Sequence, residues 1–257
     1  LGTNGLLATG GISRGLGFAT TIFDGGTLRL TANNTSLLTG VTTLVRSGGV
    51  TLDTGTFTVT IDQSIAPDAG STGGLTKVSD GLLRLGGVNT YTGTTAVTAG
   101  VLAISTTAAL PGWDTAGRWT VTPGAALAVG NRVTDANIAT ILGGSNLTAG
   151  DFFGFDTTEG TRTYGVAIGN LASGTLGLVK VGGYALTLSG SNTYSGSTTV
   201  ISGTLIPAMP AALATTSTVA LRPGAALQVP FGGTGGFVQA DWAPLVAKTS
   251  FGSTASL

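Results

Sequence analysis

The stretch LVKVGGYALTLSGSNTYSGSTTVISGTL, residues 178–205, decides the fold because the chain contains it twice in related form. The earlier copy, LTKVSDGLLRLGGVNTYTGTTAVTAGVL at residues 75–102, aligns with it without a gap. The similarity resumes downstream, so the duplication covers about 75–130 and 178–230. A long internal repeat of this kind is typical of proteins built from stacked structural units.

Inside the long repeat, short segments alternate between apolar and polar residues. Such pairs include Leu28/Leu30, Val50/Leu52 and Leu186/Leu188, and Gly, Asn, Asp or Ser bounds most of them. Period-2 alternation predicts short strands with one apolar face, and the bounding residues favour sharp corners. The strands recur at intervals of about 20 residues, which predicts an all-β parallel β-helix (β-solenoid) of about eleven to twelve rungs.

We predict one solenoid over 1–257, with residues 1–25 as an entry rung or a junction. Residues 26–230 hold the regular rungs, and 231–257 either cap the solenoid or start a further unit. One short helix is predicted near 135–142, capped by Asp135 and stopped by the following glycine pair.

Composition excludes several classes of function. Eleven Lys and Arg balance eleven Asp and Glu without a basic block, which argues against nucleic-acid binding. No apolar run is long enough for a membrane helix. The chain has neither His nor Cys, so His-dependent nucleophilic triads and ordinary zinc sites are excluded. No phosphate-binding glycine motif is present, and we predict no cofactor and no metal site.

The most unusual segment is DFFGFDTTEGTRTY, residues 151–164, which we interpret as a loop and a possible ligand or contact surface. Its acidic residues could form a catalytic or ligand site, although a solvated loop is the favoured interpretation. Its aromatic residues could form a sugar-stacking platform, although covering a hydrophobic patch is favoured. The candidate residues are Asp151, Phe152, Phe153, Phe155, Asp156, Glu159, Arg162 and Tyr164.

A second set of residues recurs at matching positions of the two copies. Because a single active site has no need of two copies, recurrence favours a structural role at the corners of the repeat. Lys77 and Lys180 recur in the same way. The corner residues are Asn89, Tyr91 and Gly93 in the first copy, and Asn192, Tyr194 and Gly196 in the second.

The segments DGLLRLGGVNTYTGTTAVTAGVL and GYALTLSGSNTYSGSTTVISGTL resemble the autotransporter-associated β-strand repeat of bacterial surface proteins. The resemblance is specific over about 75–104 and 176–206. It implies a right-handed parallel β-helix, export to the cell surface, and a passenger, stalk or adhesin role. The start at Leu1, without a leader, indicates a processed chain or a segment of a longer one.

We therefore expect a non-catalytic structural protein of the bacterial cell surface or extracellular matrix. A solenoid end carries unpaired strand edges, so self-association end to end, or continuation within a longer fibre or stalk, is the expected partnership. The alternative is an adhesin or glycan-binding module that uses residues 151–164 to contact surface glycans. A polysaccharide-cleaving β-helix enzyme ranks third, because the acidic residues are irregularly spaced.

Overall fold

Short strands dominate the computed structural model, which describes residues 1–214, 218–233, 235–252 and 255–256. The first fourteen strands are β1 Leu6–Thr9, β2 Ile12–Ser13, β3 Thr20–Phe23, β4 Gly26–Leu30, β5 Leu38–Thr39, β6 Thr42–Val45, β7 Val50–Asp53, β8 Thr58–Ile61, β9 Ile65–Pro67, β10 Leu75–Val78, β11 Leu82–Leu85, β12 Thr95–Val97, β13 Val101–Ile104 and β14 Trp119–Val121. The later elements are β15 Ala126–Gly130, helix α1 Asp135–Gly143, β16 Phe152–Asp156, β17 Arg162–Tyr164, β18 Gly177–Val181, β19 Ala185–Leu188, β20 Thr198–Val200, β21 Thr204–Pro207, β22 Val219–Leu221, β23 Ala226–Leu227, helix α2 Gln239–Ala247 and β24 Thr249–Phe251.

The chain divides into two compact units, Leu1–Leu127 with Thr140–Leu147, and Ala128–Ala139 with Thr148–Leu257. In the first unit, parallel pairing joins β1-β4-β7-β10-β12-β14 into one sheet. Parallel pairing also joins β3-β6-β9, β2-β5 and β8-β11-β13. Each strand pairs with a strand about one turn away along the chain, which is the pairing of a parallel β-solenoid.

The second unit repeats this arrangement. Parallel pairing joins β16-β18-β20-β22-β24 along one face and β17-β19-β21-β23 along another. The predicted all-β solenoid is confirmed, and the described residues include two short α-helices. The right-handed sense and the assignment of 1–257 to a single solenoid stay predictions.

The two units together hold about nine turns, fewer than the eleven to twelve predicted. The reason is that many turns are longer than the roughly 20 residues expected. Val50 pairs with Leu75, 25 residues later, and Val219 pairs with Thr249, 30 residues later. The longest interval contains α2, so the segment after residue 230 adds a helix and then a strand to its unit.

The core lies inside the turns, where alternate residues of each strand stack on those of the next turn. One column in the first unit is Leu28, Leu52, Lys77, Val97 and Val121, aligned by strand register. The corresponding column in the second unit is Phe155, Lys180, Val200 and Leu221, all buried. A lysine thus occupies one level of an otherwise apolar column in each unit.

Helix α1 confirms the predicted short helix but corrects its cap. Thr134 is the capping residue, because the Asn137 N–H donates to the Thr134 hydroxyl at 3.2 Å. The Thr134 N–H donates in return to the Asn137 side-chain oxygen at 3.2 Å. Asp135 is the first helical residue, and its carboxylate accepts a hydrogen bond from Arg162 instead.

Candidate functional site

The segment 151–164 forms two strands, β16 and β17, with a short turn between them rather than one loop. Alternation along β16 directs Phe153 and Phe155 inward, and both are fully buried. Their ring centroids lie 5.5 Å apart, and the Tyr164 ring lies 5.0 Å from that of Phe155. Phe152, on the opposite face, is half-buried. These aromatic side chains therefore extend the core and do not form an open platform.

Arg162 ties this segment to the chain before α1. Its guanidinium donates to the carbonyl oxygens of Gly130 and Val133, each at 2.9 Å, and to the Asp135 carboxylate at 2.9 Å. The same guanidinium lies 5.3 Å from the centroid of the Phe155 ring, which adds a cation–π contact. With this set of partners, Arg162 has the contacts of a positioning residue rather than of a ligand-binding one.

The acidic residues of the segment also have local partners. The buried Asp151 carboxylate accepts from the Thr148 N–H at 2.6 Å and from its hydroxyl at 3.2 Å, and burial raises the pKa of Asp151. The Thr158 N–H donates to Asp156 at 3.0 Å. Glu159 is exposed and lies 3.2 Å from Arg132. The prediction that this segment is a contact surface stays a prediction, and Glu159 is its most accessible charged group.

The recurring lysines bind backbone carbonyl groups at the corners of the turns. The Lys77 ammonium donates to the carbonyl oxygens of Val78, Ser79 and Ala99 at 2.9, 2.5 and 3.1 Å. Lys77 is fully buried, and that burial lowers its pKa to about 8. Carbonyl groups at a sharp corner cannot all join a strand ladder, so an ammonium with three donors satisfies several of them at once.

Lys180 has the same arrangement with more partners. Four oxygens lie within hydrogen-bond distance of its three N–H donors: the carbonyl oxygens of Gly182, Tyr184 and Ser202 at 2.5, 2.6 and 2.8 Å, and the Thr157 hydroxyl at 2.7 Å. Burial lowers the pKa of Lys180 to about 8 as well. The sequence repeat identified both lysines, but their shared carbonyl partners emerge only from the structure.

The recurring asparagines join three successive turns. The Asn89 side chain accepts from the Ile65 N–H at 2.9 Å and donates to the Ala109 carbonyl oxygen at 2.7 Å. The first partner lies 24 residues before Asn89 and the second lies 20 residues after it. One amide side chain thereby connects its own turn to the turn on either side.

Asn192 makes the same pair of bonds in the second unit. Its side-chain oxygen accepts from the Ile168 N–H at 2.8 Å, and its side-chain nitrogen donates to the Ala212 carbonyl oxygen at 2.6 Å. The separations of 24 and 20 residues are also the same as for Asn89. Identical bonding in both copies explains why an asparagine recurs at this corner.

The tyrosine after each asparagine motif is buried in the interior. The Tyr91 hydroxyl lies 2.5 Å from the Thr95 hydroxyl, and the Tyr194 hydroxyl lies 2.6 Å from that of Thr198. Both threonines are fully buried and point into the core from the following strand. Each tyrosine therefore fills the corner with its ring and satisfies a buried hydroxyl with its own.

The recurring glycines allow close packing of one turn on the previous one. Gly93 donates its N–H to the Gly73 carbonyl oxygen at 3.1 Å, and Gly196 donates to that of Leu176 at 2.9 Å. A Cβ atom at Gly93 would clash with the backbone of Gly73, and one at Gly196 would lie 2.5 Å from the Leu176 oxygen. Neither position has room for a side chain.

The sequence did not predict the exposure of two groups of apolar residues. Leu6, Leu16 and Phe18 lie in the first turn, and Phe231 and Trp242 lie beyond β23. Both groups fall where strand alternation is weak, so periodicity carried no signal about their environment.

The described residues contain no cluster of three or more His, Cys, Asp or Glu side chains arranged to hold a metal ion. None of the helices in the described part of the chain is both long and apolar enough to cross a bilayer.

Comparison with known proteins identifies the recurring segments. Residues 75–104 and 178–206 each match the model of the passenger-associated-transport-repeat. No curated protein and no solved structure matched the chain. Two such repeats within a β-solenoid fit a passenger-type β-helix repeat protein of the autotransporter class, in agreement with the resemblance seen in the sequence.

Proposed function

We propose that this chain is a non-catalytic structural segment of a surface-exposed or secreted passenger-type protein, and that its first turn pairs edge to edge with a further solenoid turn, either of a second copy or of a preceding part of a longer chain. The main support is the first turn itself. Among the described residues, β1, β2 and β3 are each an edge strand of their sheet, and each pairs with a neighbour on one side only. An unprotected strand edge is a template for pairing with another chain.

Apolar side chains surround this open edge. Leu6 is 56% exposed, Leu7 is 40% exposed, and Leu16 and Phe18 are completely exposed. A cluster of exposed large apolar residues on a soluble protein typically marks an interaction surface. Covering these four side chains together with the strand edges would provide both apolar burial and hydrogen bonding.

The register of β1 shows which backbone groups face the open side. The Thr31 N–H donates to the Thr9 carbonyl oxygen at 3.1 Å, so the carbonyl of Thr9 faces β4. Backbone groups of successive residues in a strand point to opposite neighbours. The N–H and C=O groups of Leu6 and Ala8 therefore point away from β4, where a second strand could pair with them.

The other two candidate functions have weaker support. A glycan-binding surface at residues 151–164 would need accessible aromatic rings, whereas Phe153, Phe155 and Tyr164 are buried. A polysaccharide-cleaving site would need two free carboxylates close together. Asp53 and Asp68 instead pair with arginines at 2.8 and 2.7 Å.

Substitution of Ala8 tests the proposal. Ala8→Pro removes the outward N–H while leaving the bonds from Thr9 to β4 in place, because proline lacks a backbone donor. Ala8→Val keeps the N–H, suits a strand and serves as the matched control. We expect the native chain and Ala8→Val to associate with rising concentration in sedimentation velocity and electron microscopy, and Ala8→Pro to stay monomeric with an unchanged circular dichroism spectrum. A native chain that stays monomeric at every concentration would contradict pairing between copies.

A further inference from the structure

An exposed aromatic pair lies in the second unit, near the end of the described chain. Phe231 is 54% exposed and Trp242 is 40% exposed. Their ring centroids are 5.7 Å apart, and the ring planes are inclined at 49°. By contrast, Phe153 and Phe155, which strand alternation directs inward, are fully buried. The pair therefore leaves aromatic faces open to solvent.

Local structure holds both rings in place. Phe231 packs against the buried ring of Phe237 at 6.4 Å, and the Gly232 N–H donates to the Phe237 carbonyl oxygen at 3.0 Å. Trp242 belongs to α2, whose first turn is fixed by a 2.8 Å hydrogen bond from the Val238 N–H to the Asp241 carboxylate. Rings with defined positions can select a ligand by shape, because little conformational freedom is lost on binding.

The two rings border a cavity of about 450 Å³ that also includes Thr204, Gln228 and Ser256. This volume lies within the usual range for small-molecule sites. Among the described residues that line it, none carries a charge at neutral pH. A lining with aromatic faces and neutral polar groups favours a neutral ligand, because nothing in it compensates the charge of an ionic one.

Two polar side-chain groups at the cavity have no hydrogen-bond partner among the described residues. They are the side-chain amide of Gln228 and the indole N–H of Trp242. An amide offers two donors and an acceptor, and an indole offers one donor. These groups lie beside the aromatic faces, where they could bind hydroxyl groups of a ligand whose apolar face rests on a ring.

We propose that this cavity, defined by Phe231, Trp242, Gln228, Thr204 and Ser256, binds a neutral oligosaccharide. A pyranose ring presents C–H groups on its faces and hydroxyl groups at its edge. The aromatic faces match the first and the neutral polar side chains match the second. The proposal goes beyond the structural function argued above, and its glycan contact lies beside β23 and α2 rather than on residues 151–164.

Isothermal titration of the chain with neutral hexasaccharides tests the proposal. The probes are β-1,4-glucan, α-mannan and chitin hexasaccharides, with a heparin hexasaccharide as the charged comparison. We expect binding of at least one neutral probe and none of heparin. Trp242→Ala should weaken binding by about tenfold or more, equivalent to about 1.4 kcal/mol. Trp242→Phe should keep most of the affinity because it retains an aromatic face.

Val238→Ala is the matched control, since Val238 is 57% exposed but does not line the cavity. It should bind as the native chain does. Gln228→Ala removes the amide without disturbing the rings, and it should also weaken binding, which keeps the proposal testable if Trp242→Ala does not fold.

Three results would overturn the proposal: no binding of any neutral probe, a preference for heparin, or unchanged affinity in folded Trp242→Ala. Association of the native chain that Trp242→Ala abolishes would also overturn it, because the cavity would then be a contact between copies. Ala8→Pro should bind the sugar normally, so failure of edge pairing and failure of glycan binding are distinguishable.

Discussion

Replacing Asn192 by alanine tests whether the corner asparagines hold successive turns together. The substitution removes the acceptor of the Ile168 N–H and the donor to the Ala212 carbonyl oxygen, at 2.8 and 2.6 Å. Asn192 is only 7% exposed, so water has little access to replace these bonds. We expect the neighbouring strands to keep their register, so the Ile168 N–H and the Ala212 carbonyl group stay buried without a hydrogen-bond partner.

The size of the effect follows from these two orphaned groups. A buried donor or acceptor left without a partner costs about 1–3 kcal/mol. Two such groups predict a loss of about 2–4 kcal/mol in the free energy of unfolding, since the small remaining exposure allows partial hydration. Asn89→Ala should lose a similar amount because its two bonds have the same geometry and the same sequence separations.

Urea unfolding followed by circular dichroism measures this loss, with the slope of the transition checked against that of the native chain. Asn170→Ala is the matched control, because exposed Asn170 also accepts backbone N–H bonds, from Leu176 at 3.1 Å and Ser195 at 2.8 Å. Water can replace those bonds, so its loss should stay below about 1 kcal/mol. If Asn192→Ala and Asn170→Ala lost the same small amount, the reasoning about bridged turns would be refuted.

Two further predictions concern the glycine and lysine positions. Gly196→Ala should lower the free energy of unfolding by about 2 kcal/mol or more, because the added Cβ would lie 2.5 Å from a backbone oxygen. A Cβ at Gly183 has no atom within 4 Å, so the control variant Gly183→Ala should unfold at nearly the native urea concentration. Burial lowers the pKa of Lys77 and Lys180 from 10.5 to about 8, so the unfolded chain holds more protons than the native one above pH 8 and stability should rise from pH 8 to pH 10. The raised pKa of Tyr91, about 12, opposes this rise only above about pH 10. Urea unfolding of Lys180→Met should show a smaller pH dependence than the native chain, and an unchanged dependence would assign it to other groups.

The regular part of the fold was predictable because the residue pattern within each strand predicts which of its side chains face the core. Alternation at Leu83 and Leu85, or at Leu186 and Leu188, directs every second side chain inward whatever lies around it. The number of turns was not predictable to the same degree. A corner carries no apolar period, so its length cannot be read from a pattern, and the interval ending at Thr249 is extended by a helix.

The functional residues divide in the same way. Recurrence in the two copies identified Lys180 and Asn192 as structural residues. It did not identify their distant partners, the carbonyl groups of Ser202 and Ala212, which lie 20 or more residues away in sequence. The aromatic residues at 152–164 were conspicuous in the sequence, yet alternation within β16 buries Phe153 and Phe155. The exposure of Trp242 was not predicted, because it depends on how α2 packs against Phe231 and not on the local sequence.

The asparagine bridges limit how such a chain can change in length. Each bridge reaches backward by 24 residues and forward by 20, so a few residues inserted within either interval would move one partner away from the amide. A complete turn inserted between two bridges would leave both intact, since each asparagine side chain bonds only to the turns directly before and after its own. Length in this architecture is therefore expected to grow in steps of whole turns, and variants that differ by a few residues should carry the difference in corners that no asparagine spans.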